Sequence, residues 1–161
     1  MLRKYAVIAA TILLFSAVQA EDELLSSKVD WKSKVSDLEG IDFTTNTKPI
    51  MVLITKSWCG ACKRLKAEFL SGNGEADEIY EYSQKFHMMS FVDDQEPKGE
   101  QWTEDGAYVP RLFFLSPQGD VMHSIINSQG NPKYKYFYMH LTQVKASMRK
   151  ALRMFNLKVD L

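Results

Sequence analysis

Six consecutive residues, Ile50-Met51-Val52-Leu53-Ile54-Thr55, form an apolar run that passes through Lys56-Ser57 into Trp58-Cys59-Gly60-Ala61-Cys62-Lys63. A run of this length, bounded by polar residues, reads as a strand, so the chain carries a strand leading straight into a Cys-x-x-Cys pair. Beyond the pair, Ala61, Cys62, Leu65, Phe69 and Leu70 recur at three- and four-residue spacing, with Lys63, Arg64, Lys66 and Glu68 on the other positions. That spacing predicts an amphipathic helix with Cys59 at its N-terminus.

Unpaired backbone N–H groups and the positive end of a helix dipole stabilise a thiolate in the first turn, and can lower a cysteine pKa from about 8.5 into the range of roughly 3.5 to 7.5. Cys59 is placed to attack. Cys62, one turn deeper, can reach Cys59 and release a mixed disulfide formed with a substrate. Two other uses of the pair stay open on the residues alone. A structural disulfide closing so short a loop would stabilise by only about 2 kcal/mol. A zinc site needs further ligands, and only His87, His123 and His140 could join the cysteines, with no closely spaced histidine couple among them. A Cys-x-x-Cys that follows a strand and opens a helix points to redox chemistry.

The chain has 161 residues, 45% of them apolar, enough for one domain with a complete core and no need of disulfide staples. Twenty basic residues balance twenty acidic ones, so no electrostatic pull toward nucleic acid or an anionic membrane is visible. Arg3 and Lys4 precede an apolar run from Tyr5 to Val18, and Val18-Gln19-Ala20 places small residues where a signal peptidase cuts, so residues 1–20 read as a secretory signal. Read instead as a membrane anchor, the run falls short of the ~20 residues needed to span a bilayer. Loss of the signal removes two basic and no acidic residues, leaving 18 against 20 and a net charge of −2 over residues 21–161. No later segment could cross a membrane. In an oxidising lumen, disulfide scaffolds use cysteines spread along the chain, so a single adjacent pair reads as active rather than structural.

Along the chain, Glu21 to Lys28 is a polar leader, and Trp31, Val35 and Leu38 at i, i+4, i+7 predict a short helix ending near Gly40. Asn73-Gly74 is expected to close the cysteine-bearing helix, and a further helix should carry Ala76, Ile79, Tyr80 and Ser83 on one face. Phe86 to Val92 reads as the next strand, with His87 at its edge and Met88 and Met89 in the core. Asp93 to Gly106 is a solvated acidic connection whose spacing does not make a calcium loop. Arg111 to Leu115, a turn at 116–120 and Val121 to Ile126 read as an antiparallel hairpin. A long helix is predicted from Tyr136 to Phe155, where Phe137, Leu141, Val144, Met148, Leu152 and Phe155 keep helical spacing. Tyr134, Tyr136 and Tyr138 are expected to pack against the domain rather than bind a partner. No N-glycosylation acceptor occurs. Together these give an α/β domain, a mixed sheet flanked by helices.

The stretches Lys56-Ser57-Trp58-Cys59-Gly60-Ala61-Cys62-Lys63, Tyr108-Val109-Pro110-Arg111 and Gly130-Asn131-Pro132-Lys133-Tyr134-Lys135-Tyr136-Phe137-Tyr138 resemble the thioredoxin superfamily. More narrowly they resemble its small endoplasmic-reticulum oxidoreductases, of the protein disulfide isomerase and anterior gradient group. The likeness runs from about Trp31 onward. It implies a thioredoxin-like fold over residues 21–157, with Cys59 and Cys62 catalytic and no separate cofactor or metal. Anterior gradient proteins generally lack the second cysteine, so Cys62 places this chain on the oxidoreductase branch.

The resemblance further implies that Val109-Pro110 is a cis bond beside the cysteines, X-Pro being the only peptide bond that adopts cis cheaply. The Val109 backbone would then pair with an extended substrate, and Trp58, Gly60, Ala61, Val109 and Pro110 would line its path. One position departs from the pattern. Thioredoxins carry a buried acid six residues before the first cysteine, and here that residue is Leu53. Lys56 is either a substitute that favours the thiolate or a solvated lysine at a strand end. Lys158-Val159-Asp160-Leu161 resembles an endoplasmic-reticulum retrieval signal with Val159 as its departure. The expected function is thiol–disulfide exchange in the endoplasmic-reticulum lumen on cysteines of secretory proteins, with a retrieval receptor as a further partner. The alternative is a non-enzymatic client-binding module of the anterior gradient type.

Overall fold

The computed structural model describes residues 27–156. The segments read as a secretory signal, 1–20, and as a retrieval tetrapeptide, 158–161, lie outside the described residues. In chain order come β1 (Trp31–Lys32), α1 (Val35–Glu39), β2 (Ile50–Thr55), α2 (Gly60–Leu70), α3 (Gly74–Ser83), β3 (His87–Val92), β4 (Arg111–Leu115) and α4 (Leu141–Met154). The strands form one sheet in the order β1-β3-β2-β4, in which β1 and β2 run parallel to β3, and β4 runs antiparallel to β2. This is the mixed sheet flanked by helices that the sequence predicts.

β2 is apolar throughout because both of its faces are covered. Met51 and Leu53, with Met88, Leu112 and Phe114, pack against residues of α2, α3 and α4. Ile50, Val52 and Ile54, with Met89, Phe91 and Phe113, pack against Leu38 of α1 and against Trp102 and Tyr136. The sheet thus holds β2 rigidly from both sides up to Thr55, the last residue before the cysteine turn.

Several sequence expectations are corrected by this packing. Trp31 is not helical: it lies in β1 opposite Met88, and its ring meets Phe69 edge-on at 5.4 Å. Trp31 and Leu38 belong to the clusters on opposite faces of the sheet, so one helix face could not have carried both. Asn73 opens α3 rather than closing α2, since its Oδ1 accepts the Ala76 N–H at 3.0 Å. The left-handed residue between the two helices is Gly72, at φ 63°. On α3, Tyr82 joins Ala76, Ile79 and Ser83 in the interior, while Tyr80 packs at the rim.

The predicted hairpin forms only at its turn. Val121 bridges Leu115, and the Met122 N–H donates to the Phe114 carbonyl at 2.8 Å. Further along β4 the Leu112 N–H donates instead to the Tyr136 carbonyl at 2.9 Å, so the tyrosine segment takes the edge that a second hairpin strand would have followed. For the same reason α4 starts at Leu141 and not at Tyr136. Tyr136 and Tyr138 are both buried, in the clusters on opposite faces of the sheet, so this segment is neither a helix nor a regular strand, and Tyr134, expected to pack against the domain, is exposed. The acidic connection is also more than solvated loop: Asp93, Glu96 and Asp105 each accept hydrogen bonds from neighbouring segments.

Candidate active site

Where β2 ends, the chain turns over Lys56-Ser57 and enters α2 through Cys59. The Cys59 N–H donates to the Lys56 carbonyl at 3.1 Å, closing the turn. Cys59 is the N-cap of α2, and its Sγ accepts the Cys62 N–H at 3.1 Å. The two cysteines are joined by a disulfide with their Cα atoms 5.3 Å apart. Cys62, Leu65 and Phe69 form the buried stripe of α2, which seats the second cysteine in the domain interior. Cys62 is 1% exposed and Cys59 6%, so the first sulfur is the outer one. Trp58, 75% exposed, projects beside it, with Gly60 exposed and Ala61 half-buried on the outer side of the turn.

The Val109–Pro110 peptide is cis. Pro110 is buried and Val109 half-buried, and the Val109 carbonyl oxygen stands 3.7 Å from Cys59 Sγ. Residues fifty positions apart in sequence therefore meet at the first sulfur. A strand-like peptide laid along Val109 would bring its own sulfur to Cys59. The buried cysteine and the N–H groups of the first turn lie behind it.

Charges gather around this meeting point. Lys56 Nζ donates to the Asp93 carbonyl at 2.9 Å and pairs with Glu96 Oε2 at 2.7 Å. The Ser57 N–H donates to Asp93 Oδ1 at 3.0 Å. Glu96 also binds the guanidinium of Arg111, whose side chain is buried and whose Nη1 donates to the Trp102 carbonyl. Burial pushes the Glu96 carboxyl up, but the hydrogen bonds and charges of Lys56 and Arg111 outweigh it and hold it below the ordinary glutamate value. The Ser57 amide holds Asp93 below the usual aspartate range. Sequence reasoning assigned no role to Glu96, Asp93 or Arg111. The signal available was Arg111 itself, a charge at the head of the apolar run Leu112-Phe113-Phe114-Leu115, which cannot be buried without a counter-ion.

Leu53 is fully buried in β2, with Ser90 as its partner on β3, so no acid stands at that position. The three histidines lie apart: His87 bonds Asn46, His123 bonds Tyr136 and His140 bonds Glu68. Among the described residues no three His, Cys, Asp or Glu side chains cluster as metal ligands.

A mixed sheet with a Cys-x-x-Cys disulfide at a helix N-terminus, facing a cis-proline, defines a domain of the thioredoxin type. A family model described as thioredoxin-like matches residues 42–117. The chain is 33% identical over 110 residues to anterior gradient protein 3 of Mus musculus, covering 68% of this chain and 63% of that protein. It is 31% identical over 118 residues to anterior gradient protein 3 of Homo sapiens, covering 72% of this chain and 68% of that protein. The matched stretch thus spans less than two thirds of the mouse relative. Among solved structures, the zinc-bound form of human ERp44 overlaps 75% of this chain and 31% of its own, at a TM-score of 0.48 and 17% identity. The chain belongs to the thioredoxin-like family, in the group of the anterior gradient proteins.

Proposed function

We infer that this chain is a thiol–disulfide oxidoreductase acting on cysteines of secretory proteins in the lumen of the endoplasmic reticulum. The observation that carries this reading is the position of Cys59 Sγ, at the N-terminus of α2 and 3.7 Å from the Val109 carbonyl oxygen. In the reductive direction, the Cys59 thiolate attacks one sulfur of a client disulfide, forms a mixed disulfide and expels the other client sulfur as a thiolate. The Cys62 thiolate then attacks Cys59 Sγ, restores the Cys59–Cys62 bond and releases the second client thiolate. Two electrons pass from the dithiol to the client, and the reverse sequence oxidises a client dithiol. Trp58, Gly60, Ala61, Val109 and Pro110 border the approach to Cys59, and the exchange uses no group beyond the cysteine pair. Residues 1–20 direct the chain to the lumen and Lys158–Leu161 return it there by binding a retrieval receptor.

Cys59→Ser should abolish exchange with a client disulfide, and Cys62→Ser should accumulate mixed disulfides visible on non-reducing gels. Full turnover by both single variants would overturn the enzymatic reading. Client binding by Cys62→Ser without any covalent capture would favour a non-enzymatic binding module instead. Truncation before Lys158 should leave exchange intact and send the chain into the culture medium; equal retention of both forms would remove the retrieval role.

A further inference from the structure

One carboxylate joins the two halves of the site. Glu96 Oε2 lies 2.7 Å from Lys56 Nζ, and Oε1 meets the Arg111 guanidinium. Lys56 belongs to the turn closed by the Cys59 N–H. Arg111 lies two residues beyond Val109, whose carbonyl oxygen stands 3.7 Å from Cys59 Sγ. The guanidinium is 1% exposed and is held on its other side by the Trp102 carbonyl, so it cannot swing out to water. Two cations, one on each loop of the site, thus share Glu96. The remaining charges at the cluster are Asp93, bonded through its carbonyl to Lys56 and through its carboxylate to the Ser57 amide, and Lys66 of α2, which acts on Asp93.

We propose that Glu96 is a positioning residue for the redox pair: by bridging Lys56 to Arg111 it sets how much positive charge the Cys59 thiolate meets when the disulfide opens. The proposal rests on the exchange reading above. Opening the disulfide takes up two electrons from a thiol donor such as glutathione and leaves Cys59 and Cys62 as sulfur anions or, after protonation by water, thiols. A nearby cation favours the anion. The Glu96 carboxylate neutralises part of that cation and so holds the dithiol form back. With apolar Leu53 in β2, the charge balance at this site rests on the Lys56, Glu96 and Arg111 cluster instead.

Glu96→Gln keeps the shape of the side chain and one acceptor oxygen while removing its charge. Equilibration of the full chain with reduced and oxidised glutathione should show the dithiol form favoured about tenfold over the unaltered chain, about 30 mV toward a more oxidising pair. The pH profile of Cys59 alkylation by iodoacetamide should move to lower pH. Lys56→Gln should move both readouts the opposite way. It also leaves the Glu96–Arg111 pair intact, so it carries the test even where Glu96→Gln does not fold. The double variant should fall between the two single ones. Unchanged glutathione equilibrium and alkylation profile in Lys56→Gln, or shifts of both variants in the same direction, would overturn the proposal. Neither readout depends on client turnover. A disulfide in the unaltered chain that glutathione cannot reduce would overturn the exchange reading itself, and the proposal with it.

Discussion

Ser90 is fully buried on β3, and its hydroxyl has no hydrogen-bond partner among the described residues. It is the register partner of Leu53, and shares the face of the sheet that carries Met88 and packs against α2–α4. Desolvating an unpaired hydroxyl costs about 1–3 kcal/mol, and a methyl group of nearly the same size avoids that cost. Ser90→Ala should therefore raise the unfolding free energy by about 1 kcal/mol, read as a higher urea midpoint at unchanged slope. A lower midpoint would mean that the hydroxyl has a partner on folding. Arg111 is the opposite case. Its charge is as deeply buried, yet two acceptors meet it, and only the folded chain brings those acceptors near.

At the level of elements, α2 is tied to α4 by one side chain. Glu68 Oε2 accepts the Leu141 N–H at 2.8 Å, and Oε1 pairs with His140 Nδ1 at 2.8 Å, so a residue of the cysteine-bearing helix caps the C-terminal one. Glu68→Ala should cost about 1 kcal/mol of stability, as loss of an N-terminal cap does. Glu68→Gln, which keeps an acceptor, should cost less than half as much; equal losses in urea denaturation would show that charge and not the cap is what matters. This tie could not be read from the sequence, because its partners lie far apart along the chain. What could be read was local. The apolar run into Cys59 and the spacing of Cys62, Leu65 and Phe69 define β2 and α2 without reference to any other segment. The start of α4 was misplaced because Phe137 happens to fall on the helical repeat, while the bond from the Leu112 N–H to the Tyr136 carbonyl that holds this segment off the helix joins residues too far apart to leave a local pattern. The meeting of Cys59 with Val109 was visible only through resemblance, since no local pattern links two loops so far apart.

For the molecule as a whole, the carboxylates around the site make stability depend on pH. Glu96 and Asp93 sit below their ordinary values of 4.5 and 3.8 in the folded chain. The stabilisation they contribute is complete above those values and is lost as pH falls through the lower, folded ones. His87, lowered from 6.5 by burial and by the charge of Lys48, adds an earlier loss, because the unfolded chain takes up that proton first. Urea unfolding should thus show a small decline as pH falls below 6.5 and a steeper one below 4.5. His87→Gln should erase the first decline and leave the second; a variant that keeps both would show that another group titrates there. The sheet order has a consequence of a different kind. β1 pairs with β3 alone, and β3 comes after both α2 and α3. A ribosome adding roughly 5–20 residues per second releases Trp31 several seconds before Met88, its register partner. Throughout that interval the indole has only Phe69 of α2 to meet, so the earliest strand of the finished sheet waits for both helices to be made before it can pair.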